Sequence, residues 1–405
     1  MRVAVVGGGW AGLAAAVELA CGGAAVTLFE AGRVLGGRAR SVELDGRMLD
    51  NGQHLLLGAY ADTLDLMRRV GADPEALFDR RPLQVVDHSG FRLALPRWPA
   101  PLNVAWGLLA SPTVDWKNKA KTAFWMDGLK RRGFVLDREQ TVAEWLDAAG
   151  QTGTLRRHLW EPLCLAALNT PADRASAQLF ANVLRDSLGS PRREATDLLL
   201  PRAPLGAVLP EPAARWLAAR GAELRLGHRV RQVEPDGNGV RIDGESFDAA
   251  ILAVAPQHLG ALWPDRTADF AYEPIVTVYL DYAAAPTLPF PLTNRLGGLG
   301  QWVVDRGNGL LACVLSGHGD WEALTDGALA ATLADELACG TPRWQKVIRE
   351  KRATFSARPN LQRVGWQTGH PRLLVAGDHT WTDYPATLEG AVRSGRRAAR
   401  HLLPA

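Results

Sequence analysis

A glycine-rich turn near the amino terminus is the feature that most constrains how this chain folds. Residues 2–6 are largely apolar and predict a buried strand, and Gly7, Gly9 and Gly12 follow with the spacing GxGxxG before a helix. Gly7 allows a tight turn, Gly9 lets the backbone approach a diphosphate, and Gly12 lets the helix pack on the strand. The pattern predicts a nucleotide-binding strand–turn–helix unit in an α/β fold.

The residues around this turn specify how the nucleotide is held. Trp10 and Ala11 begin the helix, whose free N–H groups and partial positive charge suit phosphate. A second strand, residues 25–29, leads into Glu30 and Ala31, where the acidic side chain can accept hydrogen bonds from the adenosine ribose. A glycine turn in some other α/β unit is the competing interpretation, and the flanking strands and Glu30 argue against it.

The loop after Glu30 favours FAD over NAD. Gly36, Gly37 and Arg38 follow the ribose acid directly, where an NAD enzyme would continue into another helix. A glycine pair followed by arginine suits a second loop around the diphosphate; a solvated basic loop is the alternative. We therefore expect noncovalently bound FAD.

A second segment at the carboxyl end has matching features. Residues 372–376 predict a buried strand that ends at Gly377 and Asp378, which places a carboxylate at the edge of the sheet where ligands bind. A final helix begins near Thr387 and Leu388, and its amino-terminal turn at Ala391 suits the flavin edge that gains negative charge on reduction. A plain αβ unit with a surface loop is the alternative.

Together these segments resemble the amine oxidase and phytoene desaturase superfamily of FAD enzymes. Asp50, Asn51, Gly52, Gln53 and His54, followed by Gly58 and Tyr60, resemble one branch, the hydroxysqualene dehydroxylase family, as does the run 384–391. The resemblance implies an α/β fold, with a Rossmann-type FAD-binding domain and an inserted α+β substrate domain. It implies FAD-binding segments 1–80, 201–265 and 366–405, and substrate-domain segments 81–200 and 266–365.

The resemblance also implies site residues and a reaction. Gly52, Gln53 and His54 would contact FAD, and the backbone near Val230 would cover the adenine. The implied reaction is reduction of hydroxysqualene to squalene, on the route to hopanoids. It needs a proton donor, a hydride from reduced flavin and a long apolar tunnel. His54 and Asp383 are the favoured proton donors, with Asp50, His379 and Tyr384 as further candidates and a structural role for His54 as the alternative.

Three other functions compete with this one. An amine oxidase would have a lysine near the flavin or a cysteine linked to it, but the chain has no lysine between residues 131 and 345 and no cysteine after Cys339. A carotenoid-type desaturase would share the apolar tunnel. A non-catalytic FAD-binding isoprenoid-binding protein would hold flavin without turnover. The electron donor is not indicated, because no second NAD(P)H-binding unit is evident.

Residues 228–233 alternate between polar and apolar side chains, which predicts a strand. The arginines at 393, 396, 397 and 400 suggest a solvated face on the final helix. The formal net charge of +3 does not suggest nucleic acid. The four cysteines lack CxxC spacing, which predicts neither a metal site nor disulfides and favours a cytoplasmic setting.

Residues 96–134 combine tryptophans with four of the six lysines, which is typical of an interfacial membrane contact. The protein would then lie peripherally on the inner face of the cytoplasmic membrane. A core helix with a solvated basic face is the alternative.

Overall fold

The computed structural model describes residues 1–266, 269–284 and 286–404. The strands are β1 Arg2–Val6, β2 Ala25–Glu30, β3 Ser41–Leu44, β4 Arg47–Asp50, β5 Leu56–Leu57, β6 Phe78–Arg81, β7 Gln84–Val86, β8 Arg92–Ala94, β9 Leu198–Pro201, β10 Glu223–Leu226, β11 Val233–Asp236, β12 Gly239–Ile242, β13 Glu245–Phe247, β14 Ala249–Leu252, β15 Tyr272–Asp281, β16 Leu292–Asn294, β17 Trp302–Asp305, β18 Leu310–Ser316, β19 Trp344–Phe355 and β20 Leu373–Val375.

The α-helices are α1 Trp10–Cys21, α2 Ala61–Arg69, α3 Pro74–Leu77, α4 Leu102–Ala110, α5 Trp116–Arg131, α6 Val142–Ala148, α7 Gly153–Leu155, α8 Glu161–Leu168, α9 Ala177–Asp186, α10 Leu205–Val208, α11 Pro210–Ala218, α12 Pro256–Leu262, α13 Asp326–Leu337 and α14 Leu388–Leu402. A π-helix, Arg156–Trp160, joins α7 to α8. Short 3-10 helices span Arg193–Thr196, Pro264–Arg266, Asp320–Ala323 and Asp378–Thr380.

A parallel five-stranded sheet forms the first layer, in the order β10-β2-β1-β14-β20. Its side chains alternate between two apolar clusters. Val3 and Val5 pack under α1 and α14, while Ala4 and Val6 pack under the small sheet β11-β12-β13. Because both faces are covered, the central strands β1 and β14 are almost continuous apolar runs, whereas the edge strand β10 contains Glu223 and Arg225.

An antiparallel five-stranded sheet, β16-β17-β18-β15-β19, forms the second layer. Tyr279 and Val304 face a large core shared with α5, α6, α8 and α9. Val278 and Cys313 face the opposite way, against α13. The chain is thus an α/β protein with a Rossmann-type parallel sheet and an inserted α+β region, as expected.

The strand predicted at residues 228–233 is wrong, because β11 begins only at Val233. The backbone N–H groups of Arg231 and Gln232 instead donate to the carboxylate of Asp243, at 2.9 and 2.8 Å. An alternating pattern normally indicates a strand whose N–H groups donate to a neighbouring strand. Here the side chain of Asp243 accepts these hydrogen bonds instead.

The solvated face predicted for α14 is wrong for Arg393, Arg396 and Arg397, whereas Arg400 is exposed. Arg396 is almost fully buried and pairs with Glu18 at 3.3 Å and Asp62 at 2.8 Å, and it also bonds Asp65. Arg393 pairs with Asp62 at 3.2 Å. These ion pairs attach α14 to α1 and α2, and the acidic partners lie too far away in sequence to be recognised from α14 alone.

Candidate flavin and substrate cavity

A cavity of about 390 Å³ lies between the carboxyl ends of the parallel strands and the inner face of the antiparallel sheet. The structure brings twelve of the sequence-predicted cofactor residues to its wall: Trp10, Ala11, Gly37, Arg38, Gly52, Gln53, His54, Gly377, Asp378, Thr387, Leu388 and Ala391. Ligands bind at this edge of open α/β sheets, so the location agrees with the fold.

The glycine turn adjoins the cavity at the start of α1. Gly7 has a φ of +109°, and a β-carbon on Gly12 would lie 1.9 Å from the Gly7 carbonyl oxygen, so both positions require glycine. Gly9 caps α1 without a side-chain hydrogen bond, which leaves the first helical N–H groups available to a phosphate. The carboxylate of Glu30 accepts from the backbone N–H of Gly8, at 2.7 Å.

Ala31 and Val230 do not line the cavity. Ala31 is exposed, and the side chain of Val230 is buried in the apolar cluster that contains Phe29. Only their backbones remain available for the contacts with the adenine end that the sequence predicts.

An ion pair joins the two predicted diphosphate loops. The Arg38 guanidinium bonds the carboxylate of Asp378 at 2.6 Å and the carbonyl oxygen of Ala353 at 2.8 Å. Burial opposes ionisation of Asp378, but Arg38 and His379 together outweigh it and hold the pKa of this carboxyl well below its ordinary value. The cavity edge therefore has a fixed carboxylate and a fixed cation.

Arg363 is a polar neighbour that the sequence did not indicate. Its guanidinium donates to the carbonyl oxygens of Asp378, at 3.2 Å, and Tyr384, at 2.6 Å. It also lies 4.0 Å above the ring of Phe355. Burial lowers the pKa of Arg363 to about 10. Arg363 thus fixes both ends of the loop that precedes α14.

The residues present fit FAD. Three buried polar atoms have no hydrogen-bond partner in the described structure and adjoin the predicted loops: Gln53 Oε1 and both ring nitrogens of His379. Uncommitted buried polar groups are costly unless a ligand or water satisfies them. With the uncapped α1 terminus, they form a polar cradle for a flavin nucleotide.

The other half of the cavity is apolar. It is lined from several elements of the second layer by Leu83, Val85, Leu159, Leu163, Val183, Leu198, Leu292, Trp302, Val304 and Val314. No lysine or cysteine lines the cavity within the described residues. The sequence did not indicate these apolar residues, because each comes from a separate short element whose inner face depends on the tertiary fold.

The two favoured proton donors differ in position. Asp383 is exposed and does not line the cavity, whereas the adjacent Tyr384 is buried and does. His54 lines the cavity, and its Nδ1 lies 2.9 Å from the carbonyl oxygen of Gly52. A carbonyl can only accept, so Nδ1 holds the proton; burial also lowers the pKa of His54 and keeps the ring neutral.

The remaining candidates lie in three different surroundings. Asp50 is buried and accepts from the backbone N–H of Leu205, at 2.7 Å, outside the cavity. Tyr384 donates its hydroxyl proton to Asp186. His379 packs beside Gly377 and the ring of Phe270, next to the predicted diphosphate loop.

This fold and cavity define an FAD-dependent oxidoreductase in which one half of the cavity wall is apolar. The chain matches the family of flavin containing amine oxidoreductases over residues 10–403. It is 34% identical to hydroxysqualene dehydroxylase of Rhodopseudomonas palustris over 100% of the chain and 98% of that protein. It is 31% identical to hydroxysqualene dehydroxylase of Sinorhizobium fredii, over 98% and 97%. The chain belongs to the hydroxysqualene dehydroxylase family within this superfamily.

More distant matches agree with the fold. The chain is 25% identical to a probable zeta-carotene desaturase of Synechococcus elongatus, over 100% of the chain and 99% of that protein. A putrescine oxidase variant superposes with a TM-score of 0.73 at 18% identity, covering 98% of each chain. An oxidoreductase of Methanosarcina mazei superposes with a TM-score of 0.74 at 14% identity, covering 98% and 99%.

Proposed function

We propose that this chain reduces hydroxysqualene to squalene with reduced FAD, as a step of squalene and hopanoid biosynthesis. The observation that carries the proposal is the two-part cavity, polar where the flavin loops meet and apolar toward the second layer. The full-length relatives named hydroxysqualene dehydroxylase, at 30–34% identity, support the substrate. When bound, reduced flavin supplies a hydride to the substrate.

The chain's own residues have three tasks in this reaction. The α1 terminus, Arg38 and Asp378 hold and orient the cofactor. The apolar lining excludes water and holds the isoprenoid chain, as a pocket for an apolar ligand does. A group in the wall must protonate the departing hydroxide. An external two-electron donor must reduce the flavin again.

The proposed division of the chain follows its two sheets. The parallel sheet draws its strands from residues 2–30, 223–252 and 373–375, and the antiparallel sheet lies within 272–355. These positions support an FAD-binding domain of residues 1–80, 201–265 and 366–405, and a substrate domain of residues 81–200 and 266–365.

The test is an anaerobic single turnover. The purified FAD-loaded protein is photoreduced and mixed with hydroxysqualene in detergent. We expect the flavin to reoxidise while squalene appears by mass spectrometry. Bound flavin that stays reduced would overturn the substrate assignment. Turnover of a polyene by the oxidised protein would favour a desaturase, and no turnover of either would favour the non-catalytic alternative.

We also propose that residues 96–134 contact the cytoplasmic face of a membrane. Helices α4 and α5 expose Trp106, Trp116 and Phe124, with 48%, 73% and 80% of each side chain accessible. Lys117 and Lys121 are exposed on α5 among these rings. Aromatic rings with lysines suit an interface with anionic lipid. The inner side of α5 packs through Trp125 against Trp145 and Trp160.

Vesicle co-sedimentation tests this contact. The double change Trp116→Ser and Phe124→Ser should weaken binding to phosphatidylglycerol vesicles about tenfold or more, because two large rings leave the interface. Met48→Ser with Leu226→Ser is the matched control, since both side chains are exposed outside the patch. Equal binding by the patch variant and the wild type would exclude this surface. Within the described residues, no helix is both long and apolar enough to cross a bilayer.

A further inference from the structure

Tyr60 is a candidate for the proton donor that the proposed reaction requires. Loss of an allylic hydroxyl as water consumes one proton in each turnover. A suitable donor must line the cavity, hold a proton at neutral pH and have that proton free. The cavity wall contains few groups that could meet all three conditions.

Most acidic and basic groups in the wall have their protons committed or absent. The His54 Nδ1 proton points to Gly52, which leaves Nε2 as an acceptor. Glu350 accepts from the side-chain amide of Asn51 at 3.2 Å. Arg38 and Asp378 neutralise one another at the predicted diphosphate loop. His379 has two unpartnered ring nitrogens, but its Nδ1 lies 3.6 Å from the Asp378 carboxylate in the same loop, where we assign the ring to the flavin cradle.

Tyr384 and Asp186 form a closed pair. The Tyr384 hydroxyl donates to one carboxylate oxygen of Asp186, and the Arg185 guanidinium donates to the other at 2.7 Å. Arg185 and Tyr384 together overcome burial and keep the pKa of Asp186 below its ordinary value. Proton transfer from Tyr384 would leave a phenolate against a carboxylate, which is unfavourable.

Tyr60 differs from these groups. It lines the cavity, and its hydroxyl makes no hydrogen bond to any residue that the structure describes. Burial and the nearby charge of Glu389 raise the pKa of Tyr60, while Arg393 opposes this shift, so the phenol remains protonated. A phenol is nevertheless a stronger acid than water, so the Tyr60 proton can pass to a departing hydroxide.

The backbone holds Tyr60 in a fixed place. Its N–H donates to the carbonyl oxygen of Leu57 at 2.9 Å, and its carbonyl accepts from Leu64 at 3.0 Å at the start of α2. The carboxylate of Glu389 accepts from the N–H groups of Asp62 and Thr63, at 3.1 and 2.9 Å. These hydrogen bonds hold the start of α2, and with it Tyr60, in a fixed position relative to α14, the helix that begins at the predicted flavin edge.

We propose that Tyr60 is the general acid for loss of the substrate hydroxyl, an assignment that rests on the proposed function. The carbon–oxygen bond breaks and its electron pair stays on oxygen. The Tyr60 proton joins that oxygen and water departs. Bound reduced flavin, which Arg38 and Asp378 would hold, would supply the hydride for the new carbon–hydrogen bond. Solvent protons admitted after product release restore the phenol.

The first test compares Tyr60→Phe with Tyr282→Phe in anaerobic single turnovers. Tyr282 also has a buried hydroxyl with no hydrogen-bond partner in the described structure, but it does not line the cavity. Tyr60→Phe should slow squalene formation by about 100- to 10,000-fold, the usual effect of removing a general acid. Tyr282→Phe should keep the wild-type rate. FAD content and squalene binding, followed by the flavin spectrum, should be unchanged in both.

A second measurement separates acid catalysis from a structural role. The acetate ester of hydroxysqualene has a leaving group that needs no proton. Tyr60→Phe should approach the wild-type rate with this ester. A loss below tenfold with the alcohol, or an equal loss with alcohol and ester, would overturn the assignment. If the wild type itself does not convert hydroxysqualene, the proposed function fails first; if both proteins convert it equally, only the Tyr60 assignment fails.

Discussion

Asp378 shows how one side chain links distant parts of the sequence at the cofactor site. Its carboxylate is almost fully buried and pairs with Arg38, which lies near the other end of the chain and is about one-third exposed. A buried carboxylate without a partner is strongly disfavoured, so each residue of the pair depends on the other. The pair also fixes the two loops that the sequence predicts to surround the diphosphate.

Removal of Arg38 should therefore destabilise the protein and weaken its hold on FAD. We expect Arg38→Ala to lower the free energy of unfolding of the apoprotein by about 2–3 kcal/mol, below the upper range for buried pairs because Arg38 is partly solvated. Urea unfolding and FAD titration measure both effects. Arg202→Ala is the control, since this exposed arginine approaches Asp79 only to 3.7 Å. Equal midpoints for the two variants would contradict the prediction.

The same pair predicts a pH dependence of stability. The pKa of Asp378 is lower in the folded protein than its unfolded value of about 3.9. Below that value the unfolded chain binds more protons, so the stabilising contribution is present above about pH 4 and is lost as the pH falls further. The wild-type apoprotein should thus lose stability more steeply on acidification than Asp378→Asn. Parallel acid-unfolding curves would show that the pair contributes nothing.

At the scale of elements, α2 and α14 are joined through one buried carboxylate. Glu389 lies in the first turn of α14 and is fully buried. It accepts from two backbone N–H groups at the start of α2 and from the Thr63 hydroxyl at 2.7 Å. An anion at a helix amino terminus is stabilised by the free N–H groups and the helix dipole. One helix thus supplies the cap of another.

Replacement of Thr63 by valine tests this junction with little change of shape. Thr63→Val removes one hydrogen bond to a buried carboxylate and should lower the free energy of unfolding by about 1.5–3 kcal/mol. Thr332→Val is the matched control, because its exposed hydroxyl bonds only the Ala328 carbonyl within its own helix. Thermal and urea unfolding would compare the two. A larger loss from the control would contradict the proposed role of the junction.

The whole molecule depends on close contact between its first and last helices. A β-carbon on Gly395 of α14 would lie 2.1 Å from the Ala11 carbonyl oxygen of α1. The two helices therefore cross with their backbones close together, directly behind the glycine turn. The cofactor cradle exists only when both ends of the chain are docked on the parallel sheet.

Two glycine-to-alanine changes in helices measure this closeness. Gly395→Ala should cost at least about 1–3 kcal/mol of stability, the usual penalty for overpacking, and should reduce FAD retention. Gly128→Ala in α5 should be neutral or stabilise by about 0.5–1 kcal/mol, because its nearest contact is the end of the Arg132 side chain at 3.8 Å. Equal stability of the two variants would exclude tight packing at α1.

The sequence predicts the two ends of the chain well because their signals are local. The glycine turn, the strand before Gly377 and the helix after Thr387 each require residues at fixed short spacings. The sequence could not show that Tyr384 rather than its neighbour Asp383 points inward, since orientation within a loop depends on contacts such as those of Arg363. Tyr60 belongs to a motif that the sequence shows, but whether its hydroxyl has a hydrogen-bond partner depends on the tertiary structure around it.

The docking of α14 against α1 also has a consequence for synthesis of the protein. During translation, β1 and its glycine turn are made well before Asp378 and α14. A nascent chain thus presents an uncapped phosphate-binding turn and an unpaired Arg38 throughout translation. We therefore expect the complete FAD cradle to form only after α14 has been synthesised and has docked on α1.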